Sequence, residues 1–295
     1  MDKKIRLSYL TATFNKLPYL KVGLEKLIAN KKDDEEILVD DGGSSDGTKE
    51  YLEGLKKAGK IDFYISEPNY GESHSLNKLF PVARGTLIKI INDDDCYYFP
   101  AINACKEFML AHPEVDILGA EGGSYKHASP TKMTIRQIVG YTPSYRDWQK
   151  IHKPFEFSVL GMMFRREALQ ILGYWNHSFV MADVEFSFRA TAGKSNVAWY
   201  TGSTYVYIRN QSSITWTKKE RKKTEVARLR KFYLNENPDS WLREKARRLR
   251  EKFRQGFKKY DGPTFITPWE ELYHDAEKWL VERSKAEKPE FLWNK

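Results

Sequence analysis

The sequence predicts an α/β fold: a mostly parallel sheet with helices on both faces, followed by a basic helical extension. Three observations predict it. Apolar, strand-like runs alternate with amphipathic stretches up to residue 91, in the order β-α-β-α-β-α-β. Acidic residues gather where the strands should end, which is where parallel sheets bind their ligands. The basic charge is local: Thr217–Tyr260 holds 17 Lys and Arg against 6 Asp and Glu, a net of +11, whereas the whole chain of 295 residues carries +9.

IRLSYLT (5–11) has strand character, and PYLKVGLEKLIAN (18–30) follows with Leu20, Leu24, Leu27 and Ile28 on one helical face and Pro18 near its start. EEILVDD (35–41) reads as a buried strand running into the turn GGSSDG, after which TKEYLEGLKKAG is helical. IDFYI (61–65) is a strand, ESHSLNKLFPVARG (72–85) a helix that must accommodate Pro81, and TLIKII (86–91) a strand. Beyond Pro100, VDILGAEGG (115–123) and SVLGMMF (158–164) are strand candidates. FRREALQILG, VEFSFRATAG and NVAWY suggest helix, helix and strand. From Trp216 the chain turns to Lys/Arg-rich helix, broken at NENPDS (235–240) and DGPTFITP (261–268). The expected division is therefore 1–215 and 216–295.

Composition narrows the function classes. A content of 41% hydrophobic and 14% aromatic residues suits a globular chain with a real core. Cys96 and Cys105 are too few for a disulfide framework, MDKKIR does not read as a signal peptide, and no run approaches the roughly 20 apolar residues of a membrane span. The expectation is a cytoplasmic protein able to sit peripherally on the inner face of a membrane. WLREKARRLREKFRQGFKKY would provide the contact, with Leu242, Ala246, Leu249, Phe253 and Phe257 at helical spacing among basic residues. Each Lys or Arg near an anionic surface adds about 1 kcal/mol. The alternative is a helix packed on the rest of the chain with a solvated charged face.

IKIINDDDCYYFP (88–100) sets Asp93, Asp94 and Asp95 side by side after a strand. Like charges this close oppose one another's ionisation unless a cation sits among them. Hard oxygen donors suit Mg²⁺ or Mn²⁺, with remaining positions left to phosphate and water. In extended backbone Asp93 and Asp95 point the same way and Asp94 elsewhere; the alternative is a solvated acidic turn. VDDGGSSDGT (39–48) can present carboxylates to a nucleotide, or be a turn composed of turn-forming residues.

LSYLTATFNKLPYLKVGLEKLI, EEILVDDGGSSDGT, PNYGESHSLNKLFPVARGTLIKIINDDD and GMMFRREALQILGYWN resemble, in order and spacing, successive blocks of the inverting GT-A glycosyltransferases of the family-2 type, over about residues 5 to 215. The resemblance implies a Rossmann-like GT-A fold, a nucleotide-diphosphosugar donor (a UDP-sugar favoured) and Mn²⁺ or Mg²⁺. It implies donor contacts from Ala12, Thr13, Phe14, Asp41, Asn69, Asp93 and Asp94, with Asp41 at the base. Asp93 and Asp95 would handle ribose and metal, Asp95 as the direct metal ligand. In VMADVEFSFRATAG (180–193) the family usually reads Glu-Asp six residues ahead of an arginine. Here Ala182–Asp183 and Arg189 keep that spacing, so Asp183 matches the base that takes the acceptor hydroxyl's proton. Glu185 is the reserve, and a helix cap is the alternative role for Asp183.

The chain departs from the family at Ala12, where proline is common, and at His74 and Leu76, where relatives often carry Asp, or Ala and Arg. Arg209 and Asn210 stand where a histidine often lies near the diphosphate, and Arg209 could take over that contact. In PSYRDWQKIHKPFEF (143–157), Tyr145, Trp148 and Phe155 are candidate acceptor-site walls, with ordinary core or a closing lid as alternatives. The acceptor expected is a glycan or lipid-linked molecule in polysaccharide or glycolipid assembly. One rival is a non-catalytic nucleic-acid- or membrane-binding protein acting through 217–260, although no recognised nucleic-acid module is present. Another is a nucleotidyltransferase, whose Gly-rich basic signature TATFNKLPYL does not resemble.

Overall fold

The computed structural model describes residues 4–129, 132–193, 195–208, 218–236 and 267–293. The basic amphipathic stretch 241–260, Arg209 and Asn210 lie outside the described residues. The first half follows the expected alternation: β1 (Leu7–Thr13), α1 (Leu17–Asn30), β2 (Glu35–Asp41), α2 (Thr48–Lys57), β3 (Phe63–Ser66), α3 (Glu72–Leu79) and β4 (Leu87–Ile90). β1 pairs in parallel with β2 and β4, and β2 with β3. β2 and β4 are buried along their whole length, as strands covered on both faces are. Leu20, Leu24 and Leu27 press α1 onto the core. The helix expected over 72–85 stops at Leu79, and Pro81 falls in a 3₁₀ turn over Phe80–Val82, where a missing N–H and fixed φ are tolerated.

The second half extends the same sheet in mixed orientation. β5 (Cys96–Tyr97), α4 (Phe99–Ala111), β6 (Ile117–Ser129), β7 (Lys132–Gln137), α5 (Tyr141–Ile151), β8 (Met163–Arg165), α6 (Arg166–Leu172), α7 (Ala182–Ala192) and β9 (Val197–Tyr207) follow in order. Last come α8 (Lys219–Leu234), α9 (Trp269–Ala286) and β10 (Phe291–Leu292). The sheet runs β10-β9-β6-β8-β4-β1-β2-β3, with β5 on β9 and β7 on β6. β8 is antiparallel to both β4 and β6, whereas β6 and β9 are parallel.

Two expectations are corrected here. SVLGMMF is not one strand: Val159–Gly161 forms a 3₁₀ turn before β8. Lys89 of β4 holds that turn in place, its buried ammonium donating to the Leu160 and Met162 carbonyls at 2.5 and 3.0 Å. Burial pulls the Lys89 pKa down to about 7. Likewise, 143–157 is no lid. Its first part is α5, and Tyr145, Trp148 and Phe155 are core residues, Tyr145 and Phe155 packing on Trp199 and Trp148 packing on both of them. Gly119 makes room for that indole, since a Cβ there would lie 2.3 Å from it.

The tail also returns to the sheet. β10 pairs with β9, and Trp269, Leu272, Tyr273, Ala276 and Leu280 of α9 form an apolar cluster with Cys96, Val206 and Ile208. Residues 267–293 are thus part of the sheet domain, on the near side of any boundary drawn at 215. Replacing Trp269 by alanine is expected to cost about 3–5 kcal/mol in urea unfolding, as deletion of a buried aromatic usually does. Trp269→Phe, which loses chiefly one hydrogen bond, is expected to cost about 1 kcal/mol.

Candidate active site

Three strand ends meet at the carboxyl edge of the sheet. β1 ends at Thr13, β2 at Asp40 and Asp41, and β4 leads into Asn92–Asp95. All three aspartates of the β4 tip are buried. Asp93 accepts from the Thr13 hydroxyl at 2.8 Å and from the Lys16 ammonium at 3.1 Å. Asp94 accepts from the same ammonium at 2.6 Å. Asp95 accepts the Ile208 N–H at 2.8 Å and faces the Asn92 amide at 3.3 Å. Trp269 of α9 donates its indole N–H to the Asp94 carbonyl at 3.1 Å.

Electrostatics follow from this crowding. Burial raises the Asp93 pKa to about 6 against the pull of Lys16, and the Asp94 charge adds to it. Asp95 is pushed up by burial and by Asp94, with the Ile208 N–H working the other way. Burial by itself would lower the Lys16 pKa, yet Asp93 and Asp94 lift it well above the usual lysine range. Lys16, which sequence reasoning missed, is the positive charge that lets the tip sit below the surface.

Asp41 is buried at the end of β2. Its carboxylate accepts from the Ser44 N–H and hydroxyl and, at 2.6 Å, from the Ser66 hydroxyl. A base edge reaches it only where those groups yield. Asp40 is paired instead with Lys78 at 2.6 Å. Asn69 bonds the Ser75 hydroxyl and packs on Gly42, where a Cβ would stand 2.5 Å from its amide nitrogen. Phe14 is 56% exposed beside Ala12 and Thr13, free to meet a planar ligand.

Across from the tip lies a cleft of 470 Å³ whose lining includes Asn92, Glu72, Tyr141, Glu156 and Asp183. Asp183 stands in the first turn of α7, and Met181, not Asp183, holds the capping position. Its carboxylate accepts the Val184 N–H at 2.9 Å. Burial raises its pKa, with the Val184 N–H and the Lys222 charge opposing. The loop ahead of it is gripped from α8: Glu225 accepts the N–H groups of Val180 and Met181 at 2.8 and 3.0 Å. Arg221 braces Glu225 and donates to the Ser178 carbonyl.

Some expected residues fall elsewhere. Glu185 is no reserve base, because Arg189 holds it at 2.9 and 3.0 Å and also binds the carbonyls of Leu172, Gly173 and Tyr174. It lines a separate pocket with Phe179 and Phe232. Tyr145 and Trp148 are not acceptor walls either. The Tyr145 hydroxyl lies within 3.0 Å of the Val197 and Leu292 carbonyls, and the Trp148 indole donates to Thr191. Tyr141, Trp175, Tyr205 and Tyr207 supply the aromatic lining instead. Glu72, at the start of α3, was also missed in the sequence. Burial raises its pKa to about 7, Lys16 opposes, and the charges of Asp183 and Asp93 add to the rise. Nothing local in ESHSLN signals that environment; only the folded chain creates it.

The sequence model described as Glycosyl transferase family 2 matches residues 8–172. An uncharacterised glycosyltransferase of Methanocaldococcus jannaschii is 26% identical over 202 residues, 65% of this chain and 66% of that protein. The chain therefore spans just under two thirds of this relative. Among solved structures, S. aureus TarS residues 1–349 in complex with UDP-GlcNAc superposes with a TM-score of 0.54 at 16% identity, covering 71% of this chain and 60% of that one. The Pyrobaculum calidifontis mannosyltransferase PcManGT in complex with GDP-Man and Mn²⁺ gives 0.55 at 18% identity, covering 95% and 73%. These likenesses establish the shared fold. No described helix is long and apolar enough to cross a membrane.

The Glu72 environment has a measurable consequence. Because its folded pKa lies above the unfolded value of 4.5, the folded state holds the proton more tightly across the window from 4.5 to about 7. Stability from this group is therefore lost as pH rises through that window. Glu72→Gln is expected to flatten the fall in urea midpoint between pH 4.5 and 7, and to exceed wild type at pH 8 but not at pH 4.

Proposed function

The chain belongs to glycosyl transferase family 2, and on that footing we propose that it moves a sugar from a nucleotide-diphosphosugar to an acceptor hydroxyl, inverting the anomeric centre. One observation carries the reading: the cleft lined by the Asp183 carboxylate also takes in Asn92, next to the buried acidic tip, and Glu72, which feels the charges of both Asp183 and Asp93. The donor is a UDP-sugar, the nucleotide class held by one structural neighbour, and a GDP-sugar is the competing choice on the model of the other. Ala12, Thr13, Phe14, Asp41 and Asn69 would receive the nucleoside. Asp93 and Asp94 would meet the ribose side.

The tip is chemically suited to a divalent ion. Asp93 and Asp94 share a single ammonium there with Asp95 buried beside them, and burial and the Asp94 charge have raised the Asp93 pKa, so added positive charge is favoured. Asp95 and Asp93 would hold Mn²⁺ or Mg²⁺, which when bound supplies charge to stabilise the departing diphosphate. Asp183 would accept the acceptor hydroxyl's proton at its carboxylate, and its raised pKa makes it a stronger base than a free aspartate. Glu225 and Arg221 keep its loop in register, and Tyr141 and Tyr207 offer faces for sugar rings. The acceptor is a glycan or lipid-linked molecule, and the basic segment 217–260 would bring the enzyme to an anionic membrane carrying it.

A thermal-shift panel of nucleotide-sugars with and without Mn²⁺ is expected to raise the melting temperature for one nucleotide class, more strongly with metal. A flat panel, unchanged by Asp95→Ala, would remove the donor site from consideration. Asp183→Asn is expected to keep that shift and to lower transfer about 10²–10⁴-fold. Undiminished turnover in that variant would dismiss Asp183 as the base.

A further inference from the structure

The placement of Lys16 is too well engineered to be incidental. The two residues that flank Lys16, where the chain enters α1, are tied to the turn after β2. The Asn15 N–H donates to the Ser44 hydroxyl at 2.7 Å, and the Asn15 side chain accepts the Ser45 N–H at 2.9 Å. The Leu17 N–H donates to Asp46 at 2.9 Å. Asn15 itself takes a positive φ of 51°, a conformation that asparagine tolerates better than most residues. Lys16 is thus fixed on both sides by one loop, and its ammonium lies between Asp93 and Asp94, with the side chain only 17% exposed.

From this geometry we propose that Lys16 is the resident counter-cation of the acidic tip, which a divalent ion must displace and which then pairs with the donor's diphosphate. The inference rests on the donor site proposed above and extends it. A metal arriving alone competes with a covalently tethered ammonium for the Asp93 oxygens. A metal arriving with a diphosphate does not, because the phosphates give the ammonium a new anionic partner. Metal and nucleotide then bind with positive coupling, and by linkage each strengthens the other by the same factor. The loop over 44–46 sets that coupling at a distance from the carboxylates themselves.

Mn²⁺ binding to the full chain, read from the electron paramagnetic resonance signal of the free ion, tests this without any turnover. Wild type, Lys16→Met and Lys16→Gln are titrated with Mn²⁺ alone and with saturating UDP or GDP. Expected for Mn²⁺ alone is at least tenfold tighter binding by both variants than by wild type. Expected with nucleoside diphosphate is a large gain in Mn²⁺ affinity for wild type and a much smaller gain for the variants. Should Lys16→Met fail to fold, Lys16→Gln, which is shorter and polar, carries the comparison. Equal or weaker Mn²⁺ binding by the variants in the absence of nucleotide overturns the role of Lys16 while leaving the metal site standing. An absence of Mn²⁺ binding by every protein, with or without nucleotide, overturns both the role of Lys16 and the metal part of the proposed function.

Discussion

Burying three adjacent carboxylates is the constraint around which this molecule is arranged. An unpaired charge below the surface is costly, and a partly satisfied cluster is worse than an apolar one. Each neighbouring element therefore contributes a donor to the β4 tip. β1 gives the Thr13 hydroxyl, the turn before α1 gives Lys16, the end of β9 gives the Ile208 N–H, and α9 gives the Trp269 indole to the Asp94 carbonyl. Residues from 13 to 269 are thereby required at one point. The return of the tail to the sheet follows from the same need, since α9 covers the side of the tip that the β-α-β units leave open.

The opposite rim of the cleft is fixed by different means. Asp183 follows a loop held by Glu225 from α8, while the turn over 159–161 is held from below by Lys89. Neither clamp touches the tip. Glu72 stands where the two fields overlap, so its proton affinity responds to Asp183 on one side and to Asp93 and Lys16 on the other.

The strands and helices up to β4 were legible because each carries its own period and its own punctuation, and the convergence of Thr13, Asp41 and Asp93–Asp95 follows from strand order. What was illegible depended on distant partners. Lys16 reads as one more surface lysine until β4 is laid beside β1, and Glu72 as an ordinary helix-starting acid until Asp183 faces its cleft. Tyr145 and Trp148 were read as sugar platforms because aromatics serve both walls and cores. Their hydrogen bonds to Val197, Leu292 and Thr191 decide for the core. Glu185, the reserve base by its closeness to Asp183 in the chain, is turned by its helix toward Arg189.

The stretch VDDGGSSDGT admitted two readings, a nucleotide contact or a turn, and the bonds it makes are those of a turn that reaches across to the start of α1. Ser44, Ser45 and Asp46 grip residues 15–17, while Ser44 also occupies Asp41. One loop therefore fixes both the Asp41 carboxylate and the Lys16 ammonium. A ligand that drew Ser44 away from Asp41 would loosen the seat of Asn15 in the same motion, and Lys16 with it. Turn chemistry at this position links the seat of Asp41 to the seat of Lys16 through direct hydrogen bonds.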